Sequence, residues 1–115
     1  MPKMQKSPPE LIARFEAVAA RHPAAQRRLM FGYPSLFIGG NYATGLCQEV
    51  WAVRLAPDDL AEALALDGAG LFSPMPGRPM RGWATLPADV VADDSALDAW
   101  LARAFGFAAS LPPKG

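Results

Sequence analysis

Near the amino terminus, apolar residues recur at the spacing of one helix face. Leu11, Phe15 and Val18 stand three or four positions apart, which is the periodicity of an amphipathic helix. The preceding Ser7, with the prolines that follow it, supplies an N-cap and a first helical turn. The pair His22-Pro23 then ends the pattern. The sequence therefore predicts a first helix between about residues 7 and 22.

In the middle of the chain the apolar period shortens to two. From about residue 28 to residue 55 this alternation predicts antiparallel strands, joined by turns at Gly39-Gly40-Asn41 and Gln48-Glu49. Trp51 falls on the strand face that is predicted to enter the core, whereas Arg54 falls on the opposite face. An arginine there predicts a second sheet face that is exposed to water or covered by a partner.

The rest of the chain predicts four further elements. Pro57 and the acidic residues after it begin a second helix that continues to about residue 66. A short strand is predicted near residues 71–73, and it pairs with a last strand over residues 81–86. A long helix then follows a 3.6-residue period from the N-cap Ser95 to Leu111, where Pro112-Pro113 stops it.

These elements predict an α+β fold of two layers, in which helices pack on one face of an antiparallel sheet. The predicted order is α-β-β-β-α-β-β-α. With 115 residues, 51% of them apolar, the chain has material for one core. We expect a flexible N-terminus over residues 1–6, a single domain over residues 7–111 and a flexible tail over residues 112–115.

The charge balance and the cysteine content limit which cellular location and which kinds of partner are expected. Eleven basic and eleven acidic residues leave no net charge, which removes the long-range field of a dedicated nucleic-acid or membrane-surface binder. Cys47 is the only cysteine, and it cannot form an internal disulfide. Every hydrophobic segment is too short to span a bilayer, and the first residues do not have the charged start and apolar run that predict a secretory signal. We therefore expect a cytoplasmic protein that does not bind membranes.

The residues offer little catalytic chemistry. Cys47 and the single histidine, His22, could form a nucleophile and base pair. A small packed cysteine and a histidine at a helix C-terminus are the favoured interpretations. One cysteine and one histidine, without clustered carboxylates, do not make a metal site, and no glycine pattern makes a phosphate loop. We expect no metal, no cofactor and no enzymatic activity.

Five arginines are the candidates for binding a partner: Arg54 on the second sheet face, and four others in two sequence clusters. Arg27 and Arg28 form one cluster, and Arg78 and Arg81 form the other. Together they could make a patch for phosphate or carboxylate groups, although solvated surface arginines are the more frequent case. Aromatic residues on the strands could stack on bases, but a place in the core is favoured for them. These aromatic residues are Phe31, Tyr33, Phe37, Trp51 and Trp83.

Several segments, taken in order, resemble one protein family. Arg28 to Tyr33, with the sequence Arg-Leu-Met-Phe-Gly-Tyr, resembles the Arg-x-Met-Phe-Gly-Gly opening of the TfoX N-terminal domain family. The Pro74–Met80 loop, the Leu86-Pro87 corner and the final helix continue the resemblance, which covers about residues 7–111. Pro34 departs from the family pattern. The residues that carry the signature are Met30, Phe31, Gly32, Trp51, Gly77, Pro79, Met80, Trp83 and Trp100.

The resemblance implies a two-layer fold related in outline to secretion-chaperone-like domains. In two-domain members this module precedes a second domain, and those proteins act in the regulation of natural competence as transcriptional co-activators. We expect no second domain in a chain of this length, and the resemblance transfers no catalytic residue. It is similar to a stand-alone N-terminal domain.

Three hypotheses for function follow. The leading one is a non-enzymatic regulatory module that meets a protein partner, or a second copy of itself, through the exposed sheet face or the Arg78–Arg81 loop. A nucleic-acid-binding protein that uses the four clustered arginines is the first alternative. A small enzyme with a reactive Cys47 is the second.

Overall fold

The described residues form a six-stranded antiparallel sheet with helices on one face. The structure is a computed structural model, and it describes residues 7–30, 32–73 and 80–113. The helices are α1 Pro9–Arg21, α2 Pro57–Leu64, α3 Ala88–Ala92 and α4 Asp94–Ser110. The strands are β1 Gln26–Met30, β2 Tyr33–Ile38, β3 Asn41–Cys47, β4 Val50–Arg54, β5 Gly70–Leu71 and β6 Trp83–Thr85. The sheet order is β1-β2-β3-β4-β6-β5, which confirms the predicted α+β class.

The structure contains one strand and one short helix more than the predicted order. Strand β1 is exposed over Gln26 to Leu29, so it lacks the alternation of buried and exposed positions that marks a strand in a sequence. Helix α3 has five residues, too few to show a helical period. Strand β5 ends at Leu71, two residues before the predicted end, and it pairs with β6 as predicted.

The main core lies between the helices and the sheet. Trp51 on β4 is 1% exposed, and its ring lies 5.1 Å from that of Phe15 on α1. Trp100 and Leu101 of α4 pack into the same cluster. The prediction that Trp51 enters the core is confirmed, as is the apolar face of the last helix. The core between the helices and the sheet fixes the positions of the strand ends at which the candidate site lies.

Two of the predicted helix caps are wrong. The N-cap position of α1 is Pro8, no side chain caps the helix, and the hydroxyl of Ser7 is buried without a hydrogen-bond partner. At α4 the cap is Asp93, whose carboxylate accepts hydrogen bonds from the backbone N–H groups of Ser95 and Ala96 at 3.0 and 3.3 Å. Asp93 takes this place because an N-cap side chain must precede the helix by one residue, and Ser95 lies inside it.

The centre of the second sheet face is buried, and there the expectation that water or a partner covers this face is wrong. Ala52 and Trp83 on this face are 1% and 4% exposed. Tyr42 lies between the rings of Phe37 and Trp83, at centroid distances of 5.0 and 4.5 Å. Because aromatic side chains cover one another across neighbouring strands, this face is packed within the chain itself.

A register shift in the sheet brings Tyr42 to this face. Leu36 pairs with Thr44, but the next residue, Phe37, pairs with Tyr42. Strand β3 therefore carries one extra residue, Ala43, as in a β-bulge. Without the shift, strict alternation from Thr44 would direct Tyr42 towards the helices.

Candidate functional site

Strand β1 separates the first pair of candidate arginines onto two faces of the sheet. Arg27 pairs with Leu36, on the helix side, and its guanidinium forms an ion pair with Glu16 of α1 at 2.5 Å. Arg28 pairs with Ser35, on the other side, and its guanidinium carbon lies 5.1 Å from the centre of the Phe37 ring. Adjacent residues of a strand point to opposite faces, so these two arginines do not act as one cluster.

The second pair of candidates is only partly described. Arg81 is exposed and lies one residue before Gly82, which has a φ of +82°. Arg78 lies outside the described residues, as do Phe31, Gly77 and Pro79 of the family signature. In the sheet order, β6 is separated from β1 by three strands, which corresponds to about 19 Å at the usual strand spacing. Arg81 therefore does not join Arg27 and Arg28 in one patch.

Arg81 instead comes close to Arg54, which sequence analysis had assigned to the second sheet face and not to the cluster of Arg81. Strand β4 pairs with β6, so that Arg54 stands opposite Trp83, and the N–H of Leu55 donates to the Gly82 carbonyl oxygen at 2.9 Å. Both arginines line one cleft of about 310 Å³ at this end of the sheet. The guanidinium carbon of Arg54 lies 5.8 Å from the ring centre of Phe107 on α4, a cation–π arrangement.

Apolar side chains extend this cleft into a longer surface. A second cleft of about 320 Å³ adjoins the first and shares Leu60, Arg81 and Gly82 with it. Leu71 lines the far end and is 49% exposed. We call the combined surface the basic groove. Its lining residues are Arg54, Leu55, Pro57, Leu60, Leu71, Met80, Arg81, Gly82 and Phe107.

The arginines of the basic groove differ from most other arginines in their partners. Arg14, Arg21, Arg27 and Arg103 each form an ion pair with an Asp or Glu side chain. No such carboxylate partner is found for Arg54, Arg81 or Arg28 among the residues that the structure describes. A guanidinium that lacks a carboxylate keeps its capacity for a charge-assisted hydrogen bond with a ligand. The basic groove thus combines an apolar surface with two positive charges available for binding.

A larger cleft of about 430 Å³ lies between α1, α3 and the turn that joins β3 to β4. Its arginine, Arg14, is already engaged: Nε donates to the Val91 carbonyl oxygen at 2.5 Å, and the guanidinium pairs with Asp94 at 2.7 Å. Glu10 and Glu49 at this cleft are exposed. Because its arginine joins α1 to both α3 and α4, this cleft has the arrangement of a packing contact.

Cys47 and His22 lie on opposite faces of the sheet. The ring of His22, the C-cap residue of α1, lies 4.7 Å from that of Phe105 in the helix layer. Cys47 packs against the aromatic cluster of the other face, and burial raises the pKa of its thiol. The histidine therefore cannot act as the base for this thiol. In the described ranges there is no group of three or more His, Cys, Asp or Glu residues that could hold a metal ion.

The described signature residues have structural positions. Gly32 has a φ of +85° in the connection between β1 and β2, a conformation that favours glycine. Trp51 and Trp100 belong to the main core, and Met80 and Trp83 belong to the aromatic cluster of the second face. Gly32, Trp51, Trp83 and Trp100 therefore serve the fold, and Met80 also lines the basic groove.

Comparison with models of protein families shows to which family the chain belongs. The model of the TfoX N-terminal domain matches residues 12–108, which is most of the chain, so the protein belongs to the TfoX N-terminal domain family. The resemblance seen in the sequence is thereby confirmed. At the level of the family this membership supports a regulatory, competence-related module. Comparisons with curated proteins and with solved structures find no match. None of the described helices is long and apolar enough to cross a membrane.

Proposed function

We propose that the protein is a non-enzymatic regulatory module that binds a protein partner through the basic groove. The observation that carries the proposal is the meeting of Arg54 and Arg81 at one apolar cleft, neither of them with a carboxylate partner among the described residues. Arginine beside exposed apolar surface is typical of the residues that dominate protein interfaces.

The chemistry of the groove indicates the kind of segment that it binds. One or two carboxylates of the partner would meet Arg54 and Arg81, where charge-assisted hydrogen bonds are about twice as strong as neutral ones. Apolar side chains next to them would cover Leu71 and Leu60, which line the remainder of the surface. The proposed partner segment is therefore amphipathic and acidic.

Three observations support a role without catalysis. The one cysteine has a thiol pKa raised by burial, which opposes formation of the nucleophilic thiolate. The one histidine packs on Phe105, across the sheet from Cys47. The described carboxylates form no cluster with His or Cys that would hold a metal ion.

The positions of the arginines favour a protein partner over nucleic acid. A backbone-binding surface requires several cations aligned along one stripe. Arg27 is neutralised by Glu16, Arg28 lies on the other face, and Arg81 lies beyond three further strands. The net charge of zero adds no attraction at long range.

The test is site-specific photo-crosslinking of the full chain. A photo-reactive amino acid replaces Leu71, and the protein is irradiated in an extract of its source cells. We expect a discrete protein adduct at this position, and we expect the same residue placed at Glu10, on α1, to give no such adduct. Mass spectrometry of the cross-linked peptide should identify a segment that contains Asp or Glu beside apolar residues.

Matched arginine variants decide whether the adduct reports the groove. Arg54→Ala and Arg81→Ala should each reduce its yield at least about tenfold, since the loss of one charged hydrogen bond costs about 1.5–3 kcal/mol. Arg21→Ala, which removes an exposed arginine that is paired with Asp98, should leave the yield unchanged. An adduct that persists in both groove variants, or equal labelling at both positions, would refute the proposal.

A further inference from the structure

Strand β1 is an open edge of the sheet. It is the first strand in the order β1-β2-β3-β4-β6-β5, and among the described residues it pairs only with β2. Its five residues span about 13 Å, and Gln26 to Leu29 are all exposed. The strand at the other edge, β5, has only two residues. Edge strands present backbone N–H and C=O groups without partners, and proteins commonly keep such strands short. Of the two edges of this sheet, β1 is the longer.

On the helix side of this edge the surface is neutral and apolar. Leu29, which stands opposite Pro34, is 59% exposed. Arg27 stands on the same side, but its charge is balanced by Glu16 at 2.5 Å. A residue added beside β1 on this side would therefore meet an exposed leucine and a neutralised ion pair. An apolar side chain fits this environment.

On the opposite side the edge carries an unbalanced positive charge. Arg28 lies over the ring of Phe37 at 5.1 Å, and its guanidinium donates a hydrogen bond to the side-chain oxygen of Gln26 at 3.2 Å. Both contacts hold the guanidinium in place without neutralising it. An acidic side chain directly across from Arg28 would complete the pair, because opposite charges on facing strand positions attract.

We propose that the β1 edge binds an extended segment of a partner protein as a seventh strand, antiparallel to β1, with alternating apolar and acidic residues. The apolar residues lie on the side of Leu29, and the acidic residues lie on the side of Arg28. Backbone hydrogen bonds supply general affinity, and the two sides of the strand supply selectivity. Three strands separate this edge from β6, next to which the basic groove lies, and the site is independent of the proposed function.

A second copy of β1 fits the same edge poorly when all five residues pair. In that two-fold antiparallel arrangement Arg28 is the central residue and faces its own copy. Like charges directly opposite each other destabilise a strand pair. An acidic partner removes the repulsion that a second copy creates.

The experiment measures fluorescence anisotropy of labelled peptides with the intact chain at low salt. The probe alternates Val and Glu over seven residues and is N-methylated at alternate positions, so that only one edge keeps its N–H donors and the peptide cannot stack into a larger sheet. We expect it to bind at least tenfold more tightly than a Val/Lys peptide of the same design. A peptide N-methylated at every residue should not bind, because both of its edges are blocked.

Variants then locate the site. Arg28→Glu should reverse the preference towards the Val/Lys peptide, and Leu29→Asp should weaken both peptides at least tenfold. Arg21→Ala, on α1, should change neither, and Arg81→Ala in the basic groove should also change neither, which separates this proposal from the proposed function. Circular dichroism of each variant verifies the fold.

Other results would overturn the proposal. Absence of binding up to millimolar peptide, equal binding of the Val/Glu and Val/Lys peptides, or binding by the fully N-methylated peptide would each do so. A dimer in light scattering that Leu29→Asp converts to a monomer would replace the peptide with a second copy as the occupant of the edge.

Discussion

The indole N–H of Trp51 donates a hydrogen bond to the hydroxyl oxygen of Thr44 at 2.9 Å, and that hydroxyl in turn donates to the carbonyl oxygen of Ala52 at 2.7 Å. Thr44 and Trp51 are 0% and 1% exposed. A buried N–H without a partner is costly, so a single threonine allows the largest core side chain to lie between sheet and helices. The hydroxyl uses both its donor and acceptor capacity.

Thr44→Val tests this relationship, because valine has nearly the same shape and lacks the hydroxyl. The indole N–H then has no acceptor, and we expect the free energy of unfolding to fall by about 1–3 kcal/mol. Urea denaturation monitored by tryptophan fluorescence measures the change. Thr85→Val is the matched control: its hydroxyl makes one partly buried bond, to the Gly70 carbonyl oxygen at 3.3 Å, so the loss should be under about 1 kcal/mol. Equal losses in the two variants would contradict the assigned role of Thr44.

The capping of α4 supplies a second prediction. Asp93 accepts two backbone N–H bonds at the helix start, and its negative charge also lies at the positive end of the helix dipole. Asp93→Ala should lower the free energy of unfolding by about 1 kcal/mol, measured by thermal or urea denaturation. Ser95→Ala serves as the comparison and should have an effect below about 0.5 kcal/mol. A larger loss in the serine variant would restore Ser95 as the cap.

Long periodic segments account for what the sequence could predict. The helices now seen as α1 and α4 extend over 13 and 17 residues, enough turns for their apolar faces to be recognised. Strand β1 escaped prediction because nearly all of it is exposed at the sheet edge. A strand with neither face buried carries no alternation.

The error about the second sheet face has a different origin. Alternation correctly directed Ala52 and Arg54 away from Trp51, but it could not show what covers them. Phe72 and Trp83, which pack with Ala52, come from a later part of the chain. The guanidinium of Arg54, at the end of β4, lies by Phe107 of α4 and therefore gives no evidence of a wet face.

The basic groove was beyond sequence analysis for a related reason. Arg54 and Arg81 meet because β4 pairs with β6, although a helix and another strand intervene in the chain. Leu71 belongs to a two-residue strand, which has no period to reveal its exposure. Pairing between strands that are distant in the chain is a tertiary property, and it cannot be read directly from a single amino-acid sequence.

Cys47 gives a prediction about reactivity and pH. Burial raises the pKa of its thiol in the folded chain, so at pH 8 labelling by a thiol reagent should be slower in the native protein than in denaturant. The folded state holds the thiol proton more tightly than the unfolded state. The free energy of unfolding is therefore unaffected by this group below the unfolded pKa and decreases as the pH rises towards the folded pKa.

Cys47→Ala separates this effect from that of Tyr42, whose pKa is also raised, chiefly by burial. The loss of stability between pH 8 and pH 10 should be smaller in the variant than in the original chain. Urea denaturation at the two pH values provides the comparison. Native labelling as fast as in denaturant, or an identical pH dependence in the variant, would show that the thiol is not protected.

Gly45 lies beneath the ring of Tyr42, and a Cβ atom at this position would stand 2.3 Å from the tyrosine hydroxyl and 3.1 Å from Oγ of Ser35. Tyr42 cannot move away freely because its ring is held between Phe37 and Trp83. We therefore expect Gly45→Ala to lower the free energy of unfolding by about 1–3 kcal/mol.

The control is Gly106→Ala on the exposed side of α4, where a Cβ meets nothing within 4 Å and the helix should gain about 0.5–1 kcal/mol. Tyr42→Phe, which deletes the clashing hydroxyl, should recover part of the Gly45→Ala loss in a double-mutant cycle. If Gly45→Ala stabilised the protein as Gly106→Ala does, the close contact between Tyr42 and Gly45 would be disproved.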